Sequence, residues 1–288
     1  MNISQGGGSN DRLFCWEQVA RTHHAFRISQ VFAAREDAAK LLPLYALFSI
    51  VEQICSVSSD EDLARSKLDW WSIECTDKNL QNSHHPVLKE FRRTGTAERL
   101  DQVLVHSLLE SAASRLEAGA PSDISELKAI CINTQRPQFD LEMTTCGLSV
   151  DSVQVSPGLL ARGGLLQLIR ESVKSPEQGA YWWVPLNMFA RHGIGRDALV
   201  NHPGSPEVST LLSELIEESE SWAPSADRVT EKHRALKPLR NYFAINGIYT
   251  SKINTLKGIP LNRYITEFER IRVSDLFVAW KCARRLEC

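Results

Sequence analysis

Histidine, cysteine and serine are the residue types from which this chain could build a metal centre or a nucleophile, and their spacing argues against both. His23-His24 and His84-His85 are adjacent pairs, whereas a helical zinc site needs imidazoles at i and i+4. Seven cysteines (Cys15, Cys55, Cys75, Cys131, Cys146, Cys282, Cys288) are an odd number, widely spread and without a C-x-x-C pair, so neither a zinc site nor a disulfide framework is indicated. They read as buried thiols acting as small hydrophobes in a reducing compartment. No Gly-x-Ser-x-Gly elbow accompanies the serines. Gly163-Gly164 falls inside a helical segment, where it permits close helix packing rather than forming a phosphate loop.

The elements available to position a site are helices. Apolar residues recur with helical period over 11–34, 36–57, 60–78, 86–94, 97–118, 122–133, 137–153, 157–175, 195–201, 205–222, 225–254 and 260–286, and strand-type alternation is almost absent. Pro43 inside the second segment marks a break or a short preceding turn, and Gly95 and Gly119-Ala120-Pro121 separate later ones. Residues 1–12, rich in Gly and Ser, read as a mobile tail rather than a secretory signal, and 13–288 as one helical domain. A formal net charge of −2 gives no electrostatic basis for binding nucleic acid. No apolar run reaches the roughly 20 residues of a membrane span. A cytoplasmic protein, in reach of peripheral membrane contact, is the expectation.

Order and spacing of several blocks add specificity. Leu44-Tyr45-Ala46-Leu47 lies in a helix stem, followed by Lys67-Leu68-Asp69-Trp70-Trp71-Ser72-Ile73-Glu74 and by His85-Pro86-Val87-Leu88. Farther on come Val184-Pro185-Leu186 and Arg191-His192-Gly193-Ile194. Over roughly 25–286 this pattern resembles the squalene/phytoene synthase family. The resemblance implies an all-α, single-domain isoprenoid (terpenoid) synthase fold of about ten helices around a central cavity.

In that family two Asp-x-x-x-Asp motifs hold Mg²⁺ around a prenyl diphosphate. Carboxylates at i and i+4 share one helical face, hard Mg²⁺ prefers oxygen, and a departing diphosphate needs its charge neutralised. The corresponding stretches here are Glu52-Gln53-Ile54-Cys55-Ser56 and Glu171-Ser172-Val173-Lys174-Ser175. Each keeps one carboxylate and replaces its partner by serine, and Lys174 brings a positive charge into the second. The resemblance thus makes Glu52 and Glu171 the catalytic and metal-ligating candidates. Tyr45, Phe48, Ser56, Gln167, Arg170 and Ser175 become the candidates for lining a substrate cavity.

Two functions follow from this reduction. One is a non-catalytic accessory protein that binds an isoprenoid or lipid-like ligand, or a protein partner. The other is a divergent prenyltransferase acting on a prenyl diphosphate with a reduced Mg²⁺ site at Glu52 and Glu171. Plainer roles exist for individual residues. Glu52 ends an apolar stripe with Leu44 and Phe48, so it needs a partner or a raised pKa. Glu171 lies within reach of Arg170 and Lys174 for surface pairing. Trp70 and Trp71 suit the core, while the Tyr181-Trp182-Trp183 run is open to core, lid or partner roles. Near the C-terminus Arg263, Arg270, Arg272, Lys281, Arg284 and Arg285 alternate with Tyr264, Phe268, Phe277 and Trp280. Such a helix can rest on an anionic membrane, although the commoner arrangement packs its apolar face on the core.

Overall fold

The computed structural model describes residues 7–32, 35–57, 60–152, 155–174, 181–222 and 239–285. Among them are α-helices and short 3₁₀ turns and no strand, as the periodicity required. The helices are α1 (Gly7–Thr22), α2 (His24–Ser29), α3 (Arg35–Val57), α4 (Glu61–Glu74), α5 (Asp77–Asn82), α6 (Pro86–Arg93), α7 (Gln102–Glu117) and α8 (Ile124–Thr145). They continue with α9 (Pro157–Lys174), α10 (Leu186–His192), α11 (Ala198–Asn201), α12 (Pro206–Trp222), α13 (Arg240–Asn254), α14 (Tyr264–Glu269) and α15 (Val273–Arg285). The number exceeds ten because segments that read as continuous, such as 11–34 and 260–286, are broken by short turns. Helix α1 begins at Gly7, so the second half of the expected tail is helical. Ser175 lies outside the described residues.

Local chemistry explains the helix starts. Asp60, Asp101 and Asp123 accept hydrogen bonds from backbone N–H groups in the first turns of α4, α7 and α8, satisfying donors that a helix leaves orphaned. His85 caps α6 through Nδ1, 3.3 Å from the Val87 nitrogen, with Pro86 at the first helical position.

Two prolines lie within helices instead of ending them. Pro43 is inside α3 and Pro137 inside α8, so neither the break at Pro43 nor the gap expected between 133 and 137 occurs. Pro137 offers no N–H to the carbonyl of Asn133, and the Ser111 hydroxyl of α7 donates to that oxygen at 2.9 Å instead. Tertiary packing thereby satisfies the group that the local sequence strands.

Helix α3 is the central strut, with Leu41, Leu44, Tyr45, Leu47, Phe48 and Val51 all buried. Its Glu36–Ser56 stretch is long and apolar enough to cross a membrane, yet 67% of that window is buried inside the protein. It packs against α1, α6, α7, α8 and α9. The most extensive pairing is α8 on α9, and glycine permits its close approach: a Cβ at Gly164 would stand 2.2 Å from the Cys131 carbonyl oxygen. Cys15, Cys75 and Cys131 are buried, and Cys55 and Cys146 half-buried. Trp71 belongs to the core, but Trp70 is 43% exposed, because adjacent helical residues point in different directions.

Candidate functional site

Four helices and the turn before α2 deliver a buried cluster of charge to the middle of the bundle. Glu52 comes from α3, Arg115 from α7, Gln138 from α8, and Gln167, Arg170 and Glu171 from α9, with His23 preceding α2. The packing of α3 and α9 brings the two sequence-candidate glutamates into one network.

Glu52 is 2% exposed. Its Oε1 accepts from the Arg170 guanidinium and lies 3.1 Å from His23 Nε2. Burial alone would raise this carboxyl, but Arg170 and then His23 outweigh it and hold Glu52 well below the usual carboxylate range. Arg170 also stacks over the Tyr249 ring at 5.1 Å. Burial would release its proton more easily, yet Glu52 more than compensates and raises it.

Glu171 is held by Arg115, whose Nη1 is 3.1 and 3.0 Å from its two carboxylate oxygens. Gln167 Nε2 donates to Glu171 Oε1 at 2.9 Å, and Gln138 Nε2 donates to Gln167 Oε1 at 3.0 Å. Burial raises the Glu171 carboxyl above its ordinary value, Arg115 opposes this, and the like charge of Glu52 adds to the rise. Surface pairing of Glu171 with Arg170 is therefore not what forms, and the Lys174 side chain lies outside those described. Glu171 is 13% and Arg115 7% exposed, and Arg170 spans to the other glutamate. Because α9 turns successive residues about 100° apart, Arg170 and Glu171 serve different neighbours.

A third buried acid lies beside this network. Glu142 of α8 is 1% exposed, and Tyr45 of α3 donates its hydroxyl to Glu142 Oε2 at 2.7 Å. With no cation among its partners, burial pushes Glu142 up to about 8, moderated by the Tyr45 hydrogen bond. Tyr45 itself is raised well above its ordinary value by burial and then by Glu142. Phe48 packs on Tyr45 with ring centroids 5.4 Å apart, so both expected cavity-lining residues are core residues here. Ser56 is half-buried one turn beyond Glu52.

Arg115, His23, Glu142 and Tyr249 belong to the site although sequence motifs did not single them out as site residues. A signal existed for two of them. Arg115 falls on the apolar stripe of Val105, Leu108 and Ala112, and Glu142 on the buried stripe of Cys131, Gln135 and Phe139. A charge on a buried stripe demands a partner from another helix, but the stripe does not say which.

The cluster does not fit a multi-Mg²⁺ clamp. Each candidate carboxylate already faces its own guanidinium. A dication would have to displace Arg170 and Arg115 and leave both buried beside it, at a cost on the order of several kcal/mol. Glu52 Oε2 is buried without a hydrogen-bond partner, which leaves one free ligand oxygen. Among the described residues no three His, Cys, Asp or Glu side chains gather as a metal set.

Open space is found elsewhere on α3. A groove of about 510 Å³ is lined by Phe14, Gln18, Ile50, Gln53, Trp71 and His85, among others. It adjoins a second of about 300 Å³ that shares Ile50 and Trp71 and adds Ser66 and Trp70; Ile54 and Lys67 line both. The Tyr181-Trp182-Trp183 run resolves toward the core: Trp183 is 2% exposed and donates its Nε1 proton to Ser172 Oγ at 2.7 Å.

Comparison with known proteins bears on these features. A family model described as squalene/phytoene synthase matches residues 19–273. The structure is similar to a crystal structure of a dehydrosqualene synthase in complex with ligand, with a TM-score of 0.67 and 11% identity, covering 97% of this chain and 98% of that one. It is also similar to squalene synthase HpnC from Alicyclobacillus acidocaldarius, with a TM-score of 0.55 and 13% identity over 96% of this chain and 95% of that one. No curated protein gives a significant sequence match. At such identities the structural likeness establishes the fold alone.

Proposed function

This chain belongs to the squalene/phytoene synthase family, and we propose that it is a non-catalytic member that binds an isoprenoid or other lipid-like molecule in the cytoplasm. One observation carries the reading: both surviving motif glutamates are neutralised from within, the buried Glu52 by Arg170 and the part-buried Glu171 by Arg115. Loss of the second carboxylate at Ser56 and Ser175 removes metal ligands. The two arginines then supply the positive charge that metal would bring, and hold it too tightly paired to neutralise a departing diphosphate. The joined grooves along α3 and α4 supply a binding surface. Ile50, Ile54, Trp70 and Trp71 offer apolar and aromatic walls for a prenyl or acyl chain, and Lys67 offers a cation for an anionic end.

Purified protein incubated with Mg²⁺ or Mn²⁺ and C10, C15 or C20 prenyl diphosphates is expected to release no diphosphate above background. The same compounds are expected to quench tryptophan fluorescence saturably, and Trp70→Ala with Lys67→Glu is expected to abolish that quenching. Metal-dependent release of diphosphate with a new product, lost in both Glu52→Gln and Glu171→Gln, would overturn the proposal in favour of a prenyltransferase with a reduced metal site. Absence of both release and quenching would overturn lipid binding and leave a protein partner as the object of the accessory role.

A further inference from the structure

Helix α15 carries its apolar stripe on the wrong side for a core helix. Val273, Leu276, Phe277 and Trp280 follow the i, i+3, i+4, i+7 spacing that ordinarily faces the interior. Here they are 84%, 39%, 62% and 40% exposed. Among the described side chains, the inward face instead carries Asp275 and Ala279, both buried, with Val278 partly buried against the core. Asp275 fixes this orientation. It accepts from the Arg272 N–H at 2.9 Å, which caps the helix, and its carboxylate lies 3.5 Å from Lys252 Nζ on α13, with both side chains 2% exposed. Lys252 also donates to the Arg270 carbonyl at 2.6 Å. Rotating α15 to bury the stripe would strand this pair, so the outward placement is built into the fold.

Among the described residues, the exposed charges beside the stripe are basic. Arg270, Lys281 and Arg284 are exposed, Arg284 stacks over the Trp280 ring at 5.2 Å, and Phe277 lies 5.5 Å from Trp280. Two described acids nearby are paired: Asp275 with Lys252 and Glu267 with Arg272. Tyr264, in contrast, turns inward and is buried. An exposed Trp and Phe between aliphatic side chains and a basic rim is the composition of a surface that inserts shallowly among anionic headgroups. We infer that α15 and the preceding Arg270–Arg272 turn form a docking surface for an anionic membrane. The stripe enters the headgroup–acyl boundary, and Arg270, Lys281 and Arg284 meet lipid phosphates. This surface is separate from the buried charge cluster and stands whether or not the grooves hold a ligand.

Vesicle flotation of the full chain tests the inference, using phosphatidylcholine alone and phosphatidylcholine with about 30% phosphatidylglycerol, at low and high salt. Wild type is expected to float with the anionic vesicles and to weaken in salt. Lys281→Gln with Arg284→Gln should weaken binding about 30-fold, the fold-change of two surface cations. Phe277→Ser with Trp280→Ser should weaken it at least about 10-fold. Since these side chains are exposed, thermal melts should match wild type and separate docking from folding. Failure to float on either vesicle, or flotation unchanged in both variants, would overturn the inference. So would a wild-type dimer in light scattering that becomes monomeric in Phe277→Ser with Trp280→Ser, because a second copy would then be the occupant.

Discussion

Glu52 and Glu142 are equally removed from water, each contributing to the interior beside α3, and they have opposite protonation chemistry. Glu52 has a guanidinium and an imidazole within reach and stays ionised well below the ordinary carboxylate range. Glu142 has a phenol and no cation, and its pKa is pushed up to about 8. Burial is the same in both places; the partner decides the charge. A buried glutamate in this fold therefore says nothing about metal binding until its neighbours are known.

The comparison breaks most visibly at the charged end. Arg170→Met leaves Glu52 ionised, buried and without its main partner, and should cost about 3–5 kcal/mol in chemical denaturation. Adding Glu52→Leu should restore most of that loss, since two apolar side chains can replace a buried pair. If the double variant stayed as unstable as the single one, the ion pair would not be the reason for the loss.

At the neutral end the effect is smaller and depends on pH. Because the folded-state pKa of Glu142 lies above its unfolded value, its contribution is fully present below about pH 4.5. It is lost progressively as pH rises through about 8. Glu142→Gln should flatten that decline and be on the order of 2 kcal/mol more stable than wild type at pH 8. Parallel stability–pH curves for the two proteins would contradict a protonated Glu142. Glu52 has the reverse sign: its depressed pKa gives stability that is present above the unfolded value near 4.5 and lost as pH falls below it.

Tyr45→Phe is the finest probe. It should cost about 1 kcal/mol for the lost hydrogen bond. Because the phenol lowers the Glu142 pKa, its removal should move the upper end of the pH decline toward higher pH. A shift toward lower pH would reverse the assigned role of the hydroxyl.

Helical content was legible because it is local. A 3.6-residue period survives in any one segment, and caps such as Asp60 and His85 act within three residues of themselves. Helix ends were less legible where a distant group rescues a local defect, as Ser111 does for the carbonyl opposite Pro137. Glu52, Gln167, Arg170 and Glu171 could be named from motif position. Their pairing could not, because Arg170 lies beside Glu171 in the chain but 118 residues from the Glu52 it bonds. Arg115 and Glu142 belong to no motif, and only the apolar stripes around them hinted at burial.

The surface helix shows the same division. Amphipathic spacing over Val273–Trp280 is a property of the chain, as is the basic composition around it. Which side faces outward is fixed by Lys252, more than twenty residues earlier and on another helix, through its buried pair with Asp275. The sequence by itself determined the all-helical architecture, the family pattern and the presence of Glu52 and Glu171. Only the tertiary structure decided that those glutamates meet arginines, that Glu142 holds its proton, and that α15 turns its aromatic residues to solvent. Hydrophobic period and capping act over a few residues, whereas pKa and ion pairing depend on which side chains arrive within about 4 Å from elsewhere in the chain.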